Sequence, residues 1–267
     1  FKLSGSYPKS EFSMQYNESV YDYMAFLMEK NGIYYFFDQQ SSGEKLIFTD
    51  SKDAHAKLPQ TPSLRYSPVS GLENAHREEV IASFILNQTP LPKIVFVRDH
   101  DWKRPGQAVE ASAPVSSKGL GSVYYYGDGF STEAEGKRLA GIRAEELICR
   151  AKVFTGSGSV PTMRPGFIFA LEGHYDDAFN QEYAITEVIH EGSQEGFLSL
   201  ALGIELEHPS DKLYYRNSFA CIPADVQFRP ARVTERKKIS GALTAFIDAV
   251  NNGSPVTPTV EDGVAAL

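Results

Sequence analysis

Cysteine is nearly absent from this chain: its 267 residues include two, Cys149 and Cys221. They lie far apart with no C-x-x-C neighbour, which excludes a disulfide framework or a cysteine zinc site and leaves two small buried hydrophobes in a reducing compartment. No stretch supplies the roughly 18 uninterrupted apolar residues of a membrane span. Positive charge is short as well. The 26 Lys and Arg against 34 Asp and Glu give a net charge of -8, which argues against nucleic-acid binding because phosphate neutralisation needs clustered cations. The nearest basic run, Arg229-Pro230-Ala231-Arg232 with Arg236-Lys237-Lys238, reads as a solvated loop. Phe1-Lys2-Leu3 opens without an initiator Met, a basic n-region or an apolar core, so a fragment of a longer protein is expected and Sec-type export has no support.

Catalytic patterns are equally scarce. Asp99-His100-Asp101 and His174-Tyr175-Asp176-Asp177 are the clusters closest to a metal or acid/base site. On a strand Asp99 and Asp101 share one face with His100 opposite, so three ligands do not converge, and surface turns with solvated carboxylates are expected. Gly156-Ser157-Gly158 and Gly192-Ser193 lack the G-x-S-x-G elbow and sit among loop-forming residues. Gly127-Asp128-Gly129 and Gly119-Leu120-Gly121 are turn glycines, not complete phosphate loops. No catalytic, cofactor or metal residue is assigned, and no enzyme is expected.

What is present is apolar and aromatic: 42% hydrophobic and 12% Phe, Tyr and Trp, enough for one large domain or two ordinary ones. Residues 11–16 alternate as a half-buried strand does. From Ser19 the period becomes helical through Val20, Tyr23, Met24, Leu27 and Met28, with Asn17 or Ser19 as the cap and Asn31-Gly32 as the stop. Residues 33–37 and 45–49 read as a hairpin around Ser41-Ser42-Gly43. In it Tyr34 and Phe36 share one face, and Tyr35 and Phe37 the other. Residues 78–86 and 93–97 continue a meander, residues 111–122 a surface loop, and 123–126 a short aromatic strand. Thr132-Glu133-Ala134-Glu135 is a capping box opening a second helix through Leu139, Ile142, Arg143, Leu147 and Ile148, with Ala140 and Ala144 on its close-packing flank. Strands follow at 167–171, 183–190 and 197–207. The expected fold is α+β, mostly antiparallel and barrel-like, with two isolated helices.

The most informative stretch runs Phe219-Ala220-Cys221-Ile222-Pro223-Ala224-Asp225-Val226-Gln227-Phe228-Arg229-Pro230. Pro223 and Pro230 push Ile222 and Arg229 out of the helical region, so residues 219–238 are expected to be an extended connector, neither helix nor central strand. The same order resembles the junction in VgrG proteins, the spike of the type VI secretion system. A second match, Tyr16-Asn17-Glu18-Ser19 followed by Asn31-Gly32-Ile33-Tyr34-Tyr35-Phe36-Phe37, resembles that family's Q-Y-x-E-S and G-I-Y-Y-F runs. Tyr124-Tyr125-Tyr126-Gly127, Pro165-Gly166 with Phe169, and Gly173-His174 resemble it in the middle. Departures are His100, standing where the family has an aromatic, and everything after Ala249.

By this resemblance, residues 1–218 form an N-terminally incomplete phage-hub-like β-barrel body, 219–238 the connector, and 239–267 the start of an oligonucleotide/oligosaccharide-binding-type barrel. It further implies a non-enzymatic homotrimer that docks on a hexameric tube of Hcp type and meets baseplate components. Such a spike carries a tip protein or effectors through target envelopes after assembly in the bacterial cytoplasm. The rival readings are the hub of a contractile phage or extracellular injection particle, a cell-wall hydrolase, and a carbohydrate-binding module using exposed Tyr faces.

Overall fold

Ser19 starts the first helix, α1 (Val20–Asn31), because its hydroxyl accepts the Asp22 amide, one of the donors a helix start leaves unpaired. Gly32 ends it in the left-handed region at φ 70°, donating back to Glu29 and Met28. The chain then folds into the expected hairpin, β1 (Tyr34–Gln40) against β2 (Gly43–Thr49), in register from Tyr34↔Thr49 to Gln40↔Gly43. A computed structural model describes residues 1–9, 13–40, 42–68, 79–101, 106, 108–193 and 214–237. Of the strand expected over 11–16, residues 13–16 are exposed and irregular, since alternation without a partner strand forms no ladder; residues 11 and 12 lie outside the described residues.

The remaining elements follow in chain order: β3 (Ala56–Lys57), β4 (Ser63–Tyr66), β5 (Val80–Gln88), β6 (Ile94–His100), β7 (Ala108–Pro114), β8 (Ser122–Tyr126), helix α2 (Glu133–Ile148), β9 (Lys152–Gly158), β10 (Phe167–Glu172), β11 (Glu182–Ser193) and β12 (Tyr214–Pro223). Strands β4, β5, β9, β12, β11 and β10 pair in that order and close into a six-stranded barrel, because β10 pairs with β11 on one edge and β4 on the other. Strand β3 sits beside β4 along that second edge of β10. Closure leaves these strands no open edge, so the ladder is satisfied internally. Inside, Phe84 stacks on Phe154 at 5.1 Å and Tyr183 meets Phe154 edge-on at 4.8 Å, arrangements that aromatic quadrupoles favour. The buried inner residues of the hairpin, Tyr34, Phe36 and Ile47, extend this same core.

A second layer is built from β7, β6 and β8, with β6 central. Val95, Val97, Ala111 and Ala113 face α2, which buries Leu139, Ala140 and Ile142 against them. The small residues are the reason the helix lies so close. A Cβ on Gly136 would stand 2.7 Å from Phe130 Cε2 and 3.1 Å from Ala111 Cβ.

Four expectations are corrected. Residues 111–114 belong to β7, because Ala-x-Ala is what a strand under a helix needs, although it resembles loop composition. Gly156 and Gly158 lie in β9, a central barrel strand where the backbone of β5 and the Phe219 ring leave no room for side chains. The 78–97 meander splits: β5 joins the barrel and β6 the second sheet. Residues 219–223 are the end of β12, where β11 pairs along the whole run and β9 pairs as far as Cys221. Ile222 before proline favours extended backbone, which a strand supplies, and Pro223 stands at the last rung, where a missing N–H is tolerated. The strand expected at 197–207 lies outside the described residues.

Gly156 offers a direct test of barrel packing. A Cβ there would meet Phe219 Cζ at 2.5 Å and Ser83 O at 2.6 Å, whereas one on Gly141 in α2 meets nothing within 4 Å. Gly156→Ala should destabilise by about 1–3 kcal/mol, and Gly141→Ala should stabilise by up to about 1 kcal/mol. Urea denaturation of the two variants measures both.

Candidate functional site

The two motif runs that lie some 200 residues apart in the chain pack against each other. Arg229 sends Nη1 to the Gly32 carbonyl and to the Asp50 carbonyl, both at 2.8 Å, and its Nε to Glu145 Oε2 at 2.7 Å. One guanidinium thus joins the end of α1, the end of the hairpin and α2, a task its planar fork suits. The Arg229 carbonyl in turn accepts from Arg150 Nη2 at 3.1 Å. Gly32 is the residue that admits this contact: a Cβ would stand 2.9 Å from Arg229 Cδ and 2.9 Å from Ile142 Cγ2, at a φ that disfavours side chains in any case. Phe228 meets the Tyr34 ring edge-on at 4.9 Å. Gly166, in the third motif run, lies under Phe36, whose Cγ would be 2.3 Å from an added Cβ.

From Arg229 the chain continues as a strap along α2 and α1. Arg232 donates to Glu146 at 3.0 Å and covers the Tyr125 ring at 4.3 Å. Glu29 accepts the Val233 and Thr234 amides, each at 3.0 Å, and Arg236 reaches the Gly127 carbonyl at 2.9 Å. The basic run expected to be a solvated loop is therefore in good part a row of fasteners, because carboxylates of α1 and α2 and free carbonyls face it. Beneath the strap Arg143, 1% exposed, forks onto Asp128 at 3.1 and 3.2 Å and bonds the Lys30 carbonyl. Its signal in the sequence was an arginine at an apolar-face position of α2, between Leu139, Ile142 and Leu147.

Asp50 anchors the N-terminal segment. Its carboxylate accepts from Ser4 N at 2.7 Å, Gly5 N at 2.6 Å and the Tyr7 hydroxyl at 2.7 Å. Burial opposes its charge, but these bonds outweigh that and hold its pKa down at about 2. His55 lies behind the hairpin with Nε2 2.9 Å from the Tyr34 hydroxyl; burial and then nearby Lys2 bring its pKa to about 4.

The remaining motif residues have local duties. Ser19 caps α1, Tyr16 is exposed, Glu18 is half-buried, and Ile33 donates to Met28 O at 2.9 Å. Gly127 and Gly173 occupy positive φ at turns, and Pro165 precedes the turn glycine Gly166. Cys221 and Ile222 are buried in β12, and burial pushes both cysteine thiols up, which leaves them inert. Ala224 N bonds Glu182 O at 3.0 Å, and Pro230 is half-buried. Of the candidate acid/base clusters, the 174–177 run is the expected surface turn with exposed Asp176 and Asp177, whereas Asp99 and Asp101 are less solvated than expected. Asp99 accepts the Gly129 and Phe130 amides, and Asp101 is buried. His174 is buried against Tyr66 and Phe179 with Nδ1 accepting from Asp176 N at 3.0 Å, while Asp176 caps a short 3-10 turn. Among the described residues no group of three His, Cys, Asp or Glu is placed to hold a metal ion, and no helix is long and apolar enough to cross a membrane.

Two exposed apolar faces complete the surface. On the hairpin Tyr34 and Phe36 turn inward, so Tyr35, Phe37 and Leu46 face out, with Tyr21 of α1 beside Tyr35. On the second sheet Phe96, Tyr124 and Tyr126 face away from α2.

Removing the Arg229 fork should loosen the junction. Arg229→Ala is expected to cost about 1.5–3 kcal/mol, and Arg229→Lys, which keeps charge without the fork, should recover only part of it; limited proteolysis of the 229–237 strap and thermal unfolding report both. The Asp50 anchor has a defined pH window. With its folded pKa below the ordinary 3.8, its stabilisation is present above pH 4 and is lost as pH falls toward 2. Protection of the Ser4 and Gly5 amides from exchange, taken relative to their intrinsic rates, should fall over that interval in the wild type and already be low at neutral pH in Asp50→Asn.

Comparison with known proteins places this architecture. The Pseudomonas aeruginosa type VI secretion system spike protein VgrG1b is 26% identical over 248 residues, covering 92% of this chain and 32% of that protein. The Vibrio cholerae actin cross-linking toxin VgrG1 is 24% identical, covering 92% of this chain and 22% of the toxin. The chain thus spans about a third or less of the length of these relatives. In fold it resembles the Escherichia coli c3393 protein, a type VI secretion component with structural similarity to the T4 bacteriophage tail proteins gp27 and gp5, at a TM-score of 0.58 and 17% identity over 91% of this chain and 48% of that one. The pattern of the phage tail baseplate hub (GPD) family matches residues 1–196, and the chain belongs to that family.

Proposed function

We propose that this chain is the hub body of a VgrG-like spike, a homotrimer that caps an Hcp-type tube of a contractile injection machine and carries a tip protein or effectors through target envelopes. The observation that carries this reading is the family match over residues 1–196, joined to the spike-like motif order that continues through Arg229 and Pro230. Its work is mechanical. A body that transmits thrust needs rigid joints, and the closed barrel and the Arg229 junction supply them. Asp99 and Asp176 act as caps for backbone amides, which favours a structural part over a hydrolase.

In this reading the strap leads out of the barrel toward residues 239–267, the proposed start of an oligonucleotide/oligosaccharide-binding-type barrel and of the shaft. Assembly takes place in the bacterial cytoplasm with baseplate components, and contraction then delivers the spike. A second reading, the hub of a contractile phage tail, is favoured by the family's phage members and differs in what surrounds the hub. Copurification with capsid proteins instead of a membrane-anchored baseplate separates the two.

The full-length protein should have three times the subunit mass by multi-angle light scattering and threefold symmetry by electron microscopy. A persistent monomer at micromolar concentration overturns the reading, as does peptidoglycan hydrolysis abolished by Asp99→Asn or Asp176→Asn.

A further inference from the structure

Helix α1 has an apolar stripe and yet none of its residues is buried. Its C-terminal half, residues 25–31, is half-buried and is held by polar contacts as well. Arg143 binds the Lys30 carbonyl, Arg138 binds the Asn31 side chain at 3.0 Å, Arg229 binds the Gly32 carbonyl, and Glu29 takes the strap amides. An amphipathic helix ordinarily gains its stability from burying that stripe. Here Tyr23, Leu27 and Met28 are only half-buried, and Val20, Tyr21 and Met24 at the N-terminal end of the helix are left exposed. Tyr21 and Tyr35 place their hydroxyls 3.4 Å apart, Tyr35 meets Phe37 edge-on at 6.1 Å, and Leu46 stands opposite Phe37 in the register. Tyr21 is 65% and Phe37 49% exposed.

The second bare face belongs to the β6–β8 pair. Phe96 lies opposite Tyr124 in register, with Tyr126 two residues on, and Tyr124 and Tyr126 are 56% and 64% exposed. The two faces look away from different layers. The hairpin turns its other side to the barrel core, and the β6–β8 pair turns its other side to α2. With Phe and Tyr burying roughly 150–250 Å² each when fully covered, the α1–hairpin face offers on the order of 500 Å² and the β6–β8 face on the order of 300 Å². With their polar rims the pair reaches the low end of a specific interface, about 1,200 Å² in total.

A cyclic trimer joins each copy to the next through two different patches, since an interface that uses the same patch twice closes as a dimer. Resting on the trimeric-hub reading above, we infer that the α1–hairpin face of one copy packs against the β6–β8 face of the next. Tyr21, Tyr35 and Phe37 then meet Phe96, Tyr124 and Tyr126 around the ring. This accounts both for a helix without buried residues and for two separate aromatic faces on one chain.

The test uses the full-length protein. Phe37→Asp and Tyr126→Asp, both at exposed positions and each checked for a wild-type circular dichroism spectrum, should each convert the trimer to monomer with at least a 100-fold loss of association. Tyr35→Cys with Tyr124→Cys should give a covalent ladder between copies with a short bis-maleimide, and neither single variant should. A trimeric wild type that either aspartate variant leaves trimeric, that shows no ladder in the double variant, or that cross-links through Tyr35→Cys alone overturns the inference and leaves the hub reading standing. A monomeric wild type overturns both.

Discussion

Arg229 is the constraint on which the rest of the arrangement depends. Its guanidinium occupies the one place where the end of α1, the end of the hairpin and the flank of α2 come within reach of a single side chain. Helix ends and strand ends leave carbonyls unpaired, and two of those carbonyls are satisfied here by one cation that also neutralises Glu145. Because the Arg229 side chain is only 12% exposed, its bonds to the two carbonyls are stronger than at the surface, and losing the arginine would strand them. The glycine at position 32 is a consequence: the space that a Cβ would take is the space the arginine uses.

The barrel solves a different problem. Six strands in mixed parallel and antiparallel pairing close on themselves, so every internal strand finds two partners. The cost is crowding at the points of closest approach, met by Gly156 and Gly158 in β9 and by the aromatic cluster around Phe154 and Tyr183. The second layer meets crowding in the same manner, with Ala111, Ala113 and Gly136 between α2 and its sheet. Rigidity in both layers comes from short distances between backbones. That property suits the mechanical role proposed above.

Much of this was legible along the chain. Both helices and their caps follow from Ser19, Gly32 and Thr132, since capping is a local interaction among residues three or four apart. The hairpin follows from alternation across Ser42-Gly43 for the same reason. Residues 111–114 and 156–158 were misread as loops because small residues are ambiguous: Gly and Ala are common in loops and equally common where two backbones must approach. The central position of residues 219–223 was hidden by Pro223, whose effect on a ladder depends on which rung it occupies. Asp99, His174 and Asp176 presented the residue types of a catalytic site, and only their partners identified them as caps and packing groups.

Local chemistry in the sequence therefore determined the element types, the absence of disulfide and membrane-helix patterns, and the order of motifs that marks the family. It also determined that Tyr34 and Phe36 share one face and Tyr35 and Phe37 the other, because side chains alternate along a strand. Which pair would be buried was settled by tertiary structure alone. The barrel core lies on the Tyr34 and Phe36 side, so Tyr35 and Phe37 are left outside. The meeting of Gly32 with Arg229 was likewise decided by the fold, since the contact joins residues 197 apart in sequence and no local periodicity carries information over that separation.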